Sequence, residues 1–361
     1  MGFELNKSYS GFRLTKKEEI AEIKSLGLFF EHDVTGAELL VLENDDDNKV
    51  FSATFRTPPE NDTGIAHILE HSVLCGSKNF PVKEPFVELM KGSLQTFLNA
   101  MTFPDKTMYP VASRNRKDFF NLMNVYLDAV FYPNISEETF KQEGWHYELN
   151  SPEGKIVYKG VVLNEMKGEF SSPESCIDRQ LAHSLFPSTP YGYESGGDPK
   201  CIPDLTYADF KDFHKKHYHP SNSRLFLYGD GDTQSYLEFL QEKYLQDFGH
   251  MDVNTSIAHQ RSFRKPKRKS LTYPVSSHES LEKKTFVLVG YKLDKAINHE
   301  HCLGFSILSH LLLGSSASPL RKALITSELG SEVIGGGFDD NRADTIFAVG
   351  SKGTEAEHEN K

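Results

Sequence analysis

Thr63-Gly64-Ile65-Ala66-His67-Ile68-Leu69-Glu70-His71-Ser72-Val73-Leu74-Cys75-Gly76 is the stretch on which the reading of this 361-residue chain turns. Ile65, Ile68, Leu69 and Val73 recur near the helical period. Asp62 or Thr63 can cap the first turn and Gly76 can close the last, so the pattern predicts one short helix. On it, His67 and His71 stand one turn apart on a shared face, with Glu70 beside them.

Two imidazoles so placed can reach one ion, and H-x-x-E-H is the inverted order of the H-E-x-x-H zinc helix. A carboxylate that is not itself a ligand can then serve as base for the water a metal activates. Catalytic zinc takes three protein ligands and keeps a position open, so a third ligand is needed. Residues 161–170 read as a helix carrying Glu165 and Glu169. Glu165, 94 positions after His71 and between Leu163 and Met166, is the preferred third ligand, with Glu143, Glu148 and Glu169 as alternatives that spacing leaves open. A His/His/Glu set favours zinc, although manganese or cobalt suits the same donors.

Upstream of the helix, 37–43 and 50–56 alternate as strands around an acidic 44–49 link, a hairpin signature. Downstream, 85–94 reads as a helix, and 97–103 with 107–112 as a second hairpin. Its first arm, if it lies at a sheet edge, could pair with an extended peptide over the metal. Residues 115–132 form an apolar helix that packs in the core. A further helix runs from Ser136, a good N-cap, through the region of Trp145, and Glu143, His146 and Glu148 on it are candidate polar groups that read as a solvated face, without an assigned role. His214, His217 and His219, with Lys215 and Lys216 among them, close a helix from Thr206 to Pro220. Cations there complement the helix dipole, a structural role preferred over metal binding. Residues 224–228 are a strand.

Composition shifts from 254 to 284, a basic and Pro/Ser-rich linker, which puts a boundary near 265. The expected domains are a metal-binding catalytic unit over 1–265 and an incomplete, catalytically silent second copy over 266–361. In the second, 285–291 is a strand, 301–313 and 318–329 are helices, and Gly335-Gly336-Gly337 precedes a strand at 345–349.

The net charge of −11, from 51 acidic and 40 basic residues, argues against nucleic acid or anionic membrane as partner. The four cysteines are scattered, as reduced thiols are, and no apolar run is long enough to span a bilayer. Residues 1–20 carry neither a signal nor a transit peptide pattern.

The residues also carry a resemblance. His67-Ile68-Leu69-Glu70-His71, Pro81-Val82-Lys83-Glu84-Pro85-Phe86, Phe97-Leu98-Asn99-Ala100-Met101-Thr102, Gln142-Glu143-Gly144-Trp145-His146 and Gly160-Val161-Val162-Leu163-Asn164-Glu165 closely resemble the presequence protease branch of the pitrilysin-type inverzincin metallopeptidases. The resemblance implies an α+β fold of pitrilysin/mitochondrial-processing-peptidase-like units, each a sheet packed with helices. Four such units would form two halves that close around short unstructured peptides such as cleaved targeting sequences. It implies one zinc ion held by His67, His71 and Glu165, Glu70 as general base, and Asn99 and Ala100 on the substrate-pairing strand.

Two departures accompany it. Tyr158 stands where other branches carry a carboxylate seven residues before the third ligand. The C-terminal half, which in the family supplies a substrate-binding arginine and tyrosine, has no counterpart, so a fragment of a longer polypeptide is expected. The alternative within the superfamily is a non-catalytic scaffold or processing-partner subunit. The expected compartment is the cytoplasm of a bacterium, or an organellar matrix in a eukaryote once a transit peptide is gone.

Overall fold

The structure, a computed structural model, describes residues 2–83 and 85–358. Glu84 of the quoted 81–86 motif, and residues 359–361, lie outside the described residues. The chain divides into two compact units, Met1–Asn164 with Ser195–Thr255, and Glu165–Glu194 with Ser256–Lys361. Both are sheets packed with helices, the expected α+β architecture.

The first unit opens with β1 (Ser8–Tyr9), β2 (Phe12–Ile20) and β3 (Ser25–His32), which the polar N-terminal composition conceals. Next come β4 (Glu38–Glu43), β5 (Lys49–Arg56), α1 (Ile65–Val73), α2 (Pro85–Gly92), β6 (Gln95–Leu98), β7 (Met101–Thr102), β8 (Lys106–Ser113) and α3 (Arg116–Phe131). α4 (Glu137–Glu143), the hairpin of β9 (His146–Leu149) and β10 (Ile156–Lys159), and α5 (Val161–Glu169) follow. α5 contains residue 165, where the division falls, and α6 (Pro173–Leu185) lies wholly in the second unit. α7 (Tyr207–His217), β11 (Ser223–Gly229) and α8 (Thr233–Lys243) return to the first.

The main sheet runs β1-β2-β3-β4-β11-β5-β8-β6, with β7 also paired to β8. The two runs within 36–57 are strands but not a hairpin. β11 lies between them, parallel to β4 and antiparallel to β5. The 44–48 link is long enough to step over one strand at about 4.8 Å per spacing. It wraps the end of β11, where Asn44 N donates to Gly229 O (3.3 Å) and Asp230 N to Asp46 O (2.9 Å). Period-two alternation puts Phe51, Ala53 and Phe55 of β5, and Leu225 and Leu227 of β11, into the core. α3 covers that face through Phe119, Leu122, Met123, Tyr126 and Val130, all fully buried, and its N-cap Asn115 accepts from Asp118 N.

α7 begins at its N-cap Thr206, as the sequence indicates, but its histidines are not a cationic dipole complement. His214 Nε2 donates to Val130 O (2.9 Å) and His217 Nδ1 to Arg56 O (3.2 Å), while His217 Nε2 is buried with no hydrogen-bond partner among the described residues. Burial holds both imidazoles near a pKa of about 4, so they are neutral. Unfolded imidazoles titrate near 6.5, so from there down to about 4 the unfolded chain binds more protons than the native one. Stability should therefore be complete above that window and fall as pH drops through it. Urea midpoints taken from pH 7 to 4.5 should show this, with a shallower slope in His217→Asn; equal slopes would refute the account.

The second unit places β12 (Thr285–Lys295), β13 (Glu332–Asp339) and β14 (Asp344–Thr354) in the order β12-β14-β13. α9 (His299–Leu313) and α10 (Pro319–Thr326) follow β12 in the chain. The strand expected at 345–349 is β14, and the glycine triplet before it lies inside a further strand, β13, at a register shift between Ile334 and Gly337. No helix among the described residues is long and apolar enough to cross a membrane.

Candidate metal centre

α1 forms where its apolar spacing places it, with Ile65, Ile68, Leu69 and Val73 buried. Its start differs from the expected cap. Neither Asp62 nor Thr63 caps it; the N-cap is Gly64, with φ 68°, and Leu74 rather than a residue beside Gly76 is the C-cap. Gly64 takes this role because the chain turns there against the backbone of Gly196 and Gly197. A Cβ on Gly64 would lie 2.6 Å from Gly196 O and 2.7 Å from Gly197 Cα. The Gly196-Gly197 pair is a turn signal in the sequence whose long-range partner spacing cannot reveal.

On α1 the His67 and His71 rings stand edge to face, with centroids 5.0 Å apart. His67 Nδ1 donates to Gly196 O (3.1 Å) and His71 Nδ1 to Glu143 Oε2 (3.3 Å). An imidazole that donates through Nδ1 leaves Nε2 to carry the lone pair a metal requires, and each ring has an oxygen acceptor at Nδ1. Glu165 on α5 joins them: one donor atom from each of His67, His71 and Glu165 lies within 4.8 Å of the others. Among the described residues this is the one group with such ligand geometry, and neither the 214–219 cluster nor Glu148 or Glu169 enters it. Glu165 is exposed, as is Glu169, so burial does not separate them. Glu169 instead accepts from Ser175 Oγ (3.4 Å), at the start of α6.

Glu70, between the two histidines in sequence, is 8% exposed, and Oγ of Thr102 on β7 donates to its Oε2 (2.8 Å). Tyr109, Tyr126 and Tyr218 lie close by. Burial first, then neighbouring groups that include the Glu70 carboxylate, hold the Tyr109 and Tyr126 phenols well above their usual range, and burial does the same for Tyr218. They are neutral hydrogen-bonding groups, with Tyr109 and Tyr218 hydroxyls 2.8 Å apart.

β6 is the last strand of the sheet path, and Asn99 and Ala100 fall in the break between it and β7. Asn99 N donates to Pro110 O (3.2 Å), and Asn99 O accepts from Tyr126 Oη (3.2 Å). The amide of Ala100 is turned to Asn99 Oδ1 (2.9 Å). Glu143, read from the sequence as part of a solvated face, is instead buried against His71.

Residues 55–166 match the family model described as Insulinase (Peptidase family M16), and residues 204–360 match Peptidase M16 inactive domain. The chain belongs to the M16 peptidase family. "Protein HypA" of Clostridium perfringens (strain 13 / Type A) is 52% identical to this M16 chain over 361 residues, covering 99% of the chain and 37% of that protein. "Presequence protease 1, chloroplastic/mitochondrial" of Arabidopsis thaliana is 50% identical over 356 residues, covering 97% of the chain and 33% of that protein. The chain thus spans about a third of the length of these relatives. The crystal structure of pitrilysin shares the fold at a TM-score of 0.62 and 15% identity, over 96% of this chain and 36% of that one.

Proposed function

We propose that this M16 chain carries the catalytic site of a zinc endopeptidase that hydrolyses short unstructured peptides, cleaved targeting sequences among them, within a polypeptide of its relatives' length. The observation that carries this reading is the convergence of His67, His71 and Glu165 beside a buried carboxylate, Glu70, that stands outside the ligand set. Two imidazoles and one carboxylate fit zinc, and three protein ligands leave a position for water. Bound there, zinc supplies Lewis acidity toward the scissile carbonyl and lowers the pKa of the attacking water.

The remaining chemistry falls to the chain. Glu70 takes the proton of the attacking water and returns it to the leaving amine. Thr102 holds one oxygen of that carboxylate and fixes its direction. The β6 edge, with Asn99 and Ala100 at its end, would pair with an extended peptide, which requires substrate backbone not already engaged in a fold. The region 266–361 is read as a catalytically silent unit. Remaining substrate-binding groups would come from a C-terminal half, in a bacterial cytoplasm or an organellar matrix.

The test pairs elemental analysis with cleavage of a quenched fluorescent unstructured peptide, with and without a separately made C-terminal half. One zinc per chain is expected, with cleavage that appears on adding that half and disappears with a chelator. A folded chain that takes up no zinc would overturn the reading.

A further inference from the structure

We infer that Glu143 is a positioning residue of the metal centre, whose buried carboxylate fixes the ring and tautomer of His71 and so sets how tightly zinc is held. This rests on the zinc-peptidase reading. Glu143 is the last residue of α4, and Gly144 lets that helix end press against α1. A Cβ on Gly144 would lie 2.8 Å from Phe140 O and 3.2 Å from Ile68 Cγ2. The close approach brings the carboxylate, 6% exposed, to His71.

Both of its oxygens are engaged, so the group has little freedom to rotate. Oε2 accepts from His71 Nδ1 at 3.3 Å, and Oε1 from Gln142 Nε2 at 2.8 Å and Cys75 Sγ at 3.7 Å. An ionised carboxylate on Nδ1–H keeps that proton off Nε2 and raises the basicity of the nitrogen that meets the metal. His67 has a backbone carbonyl, Gly196 O, in the corresponding place, so the two imidazoles are held by unlike partners. Tyr158, seven positions before Glu165, sits on an exposed strand and offers no carboxylate. Glu143 reaches the site from another helix.

The experiment measures zinc affinity of the metal-free 361-residue chain by competition with a chromophoric chelator, in wild type, Glu143→Gln and Glu143→Ala. Melting of each metal-free protein is followed by circular dichroism. Loss of affinity by roughly 10–100-fold is expected in Glu143→Ala, with a smaller loss in Glu143→Gln and one zinc still bound at saturation. A role confined to tying α4 to α1 would lower the melting temperature and leave the affinity of the folded protein within twofold of wild type, which would overturn the inference. Wild type that binds no zinc would remove the peptidase reading and this inference together; wild-type binding with unchanged variants removes only the inference. Should neither variant fold, the ¹⁵N signals of His71 in metal-free wild type decide. A proton on Nδ1 supports the inference, and a proton on Nε2 sinks it.

Discussion

Glu70→Gln should keep one zinc per chain and lower peptide hydrolysis by roughly 10²–10⁴-fold, the usual contribution of a positioned acid–base group. Glutamine has the size of glutamate, so α1 keeps its packing at a site only 8% exposed. Its amide oxygen can still accept from Thr102, which now bonds Glu70 Oε2 at 2.8 Å. What it cannot do is take the proton of the attacking water. Since Glu70 stands outside the His67, His71 and Glu165 cluster, metal content should not change. His71→Ala makes the contrast, because it should lose metal and activity together. The assay uses whichever preparation cleaves the reference peptide, this chain alone or supplemented with a C-terminal half. Activity within tenfold of wild type at full zinc loading would assign the proton to another group.

The contrast between these variants depends on a motif that is local, which is why it is legible in the sequence. His67, Glu70 and His71 lie within two helical turns, where spacing alone fixes which side chains share a face. Information about partners distant in sequence is weaker. The patterns of β4 and β5 identify both as strands, but alternation says which faces a strand buries and not which strand lies beside it. β11, about 180 residues later, takes the place between them. Glu143 shows the same limit on a helix. Its neighbours Lys141 and Gln142 are exposed, and its burial is decided by how closely Gly144 lets α4 approach α1. The histidines of α7 stay outside the metal cluster, as their lysine neighbours indicate, yet their role comes from tertiary burial, which makes them neutral. Glu165 stands on its predicted helix, but the burial expected from its apolar neighbours is absent, since Val162, Leu163 and Met166 occupy the buried face.

Gly64→Ala should destabilise the metal-free chain by roughly 2–6 kcal/mol, and weaken zinc binding at the same time. Two costs combine. The residue has φ 68°, a left-handed conformation that strains any side chain. In addition, the new Cβ would sit 2.6 Å from Gly196 O and 2.7 Å from Gly197 Cα, and both are backbone atoms that no rotamer change can move aside. Either the first turn of α1 or the 196–197 segment must shift. Gly196 O is also the acceptor for His67 Nδ1–H, so the shift reaches a proposed metal ligand directly. Gly36 provides the control, because it has nearly the same φ, 73°, but a Cβ added there would meet nothing within 4 Å. Gly36→Ala should therefore show the conformational cost alone, about 1–2 kcal/mol, with zinc affinity unchanged. Urea unfolding of the two metal-free variants isolates the steric part as their difference, and chelator competition shows whether it is transmitted to the ligand. If Gly64→Ala were no less stable than Gly36→Ala and bound zinc as wild type does, then the close backbone contact would not be what places His67, and the start of α1 would owe its position to the buried faces of Ile65 and Ile68 instead.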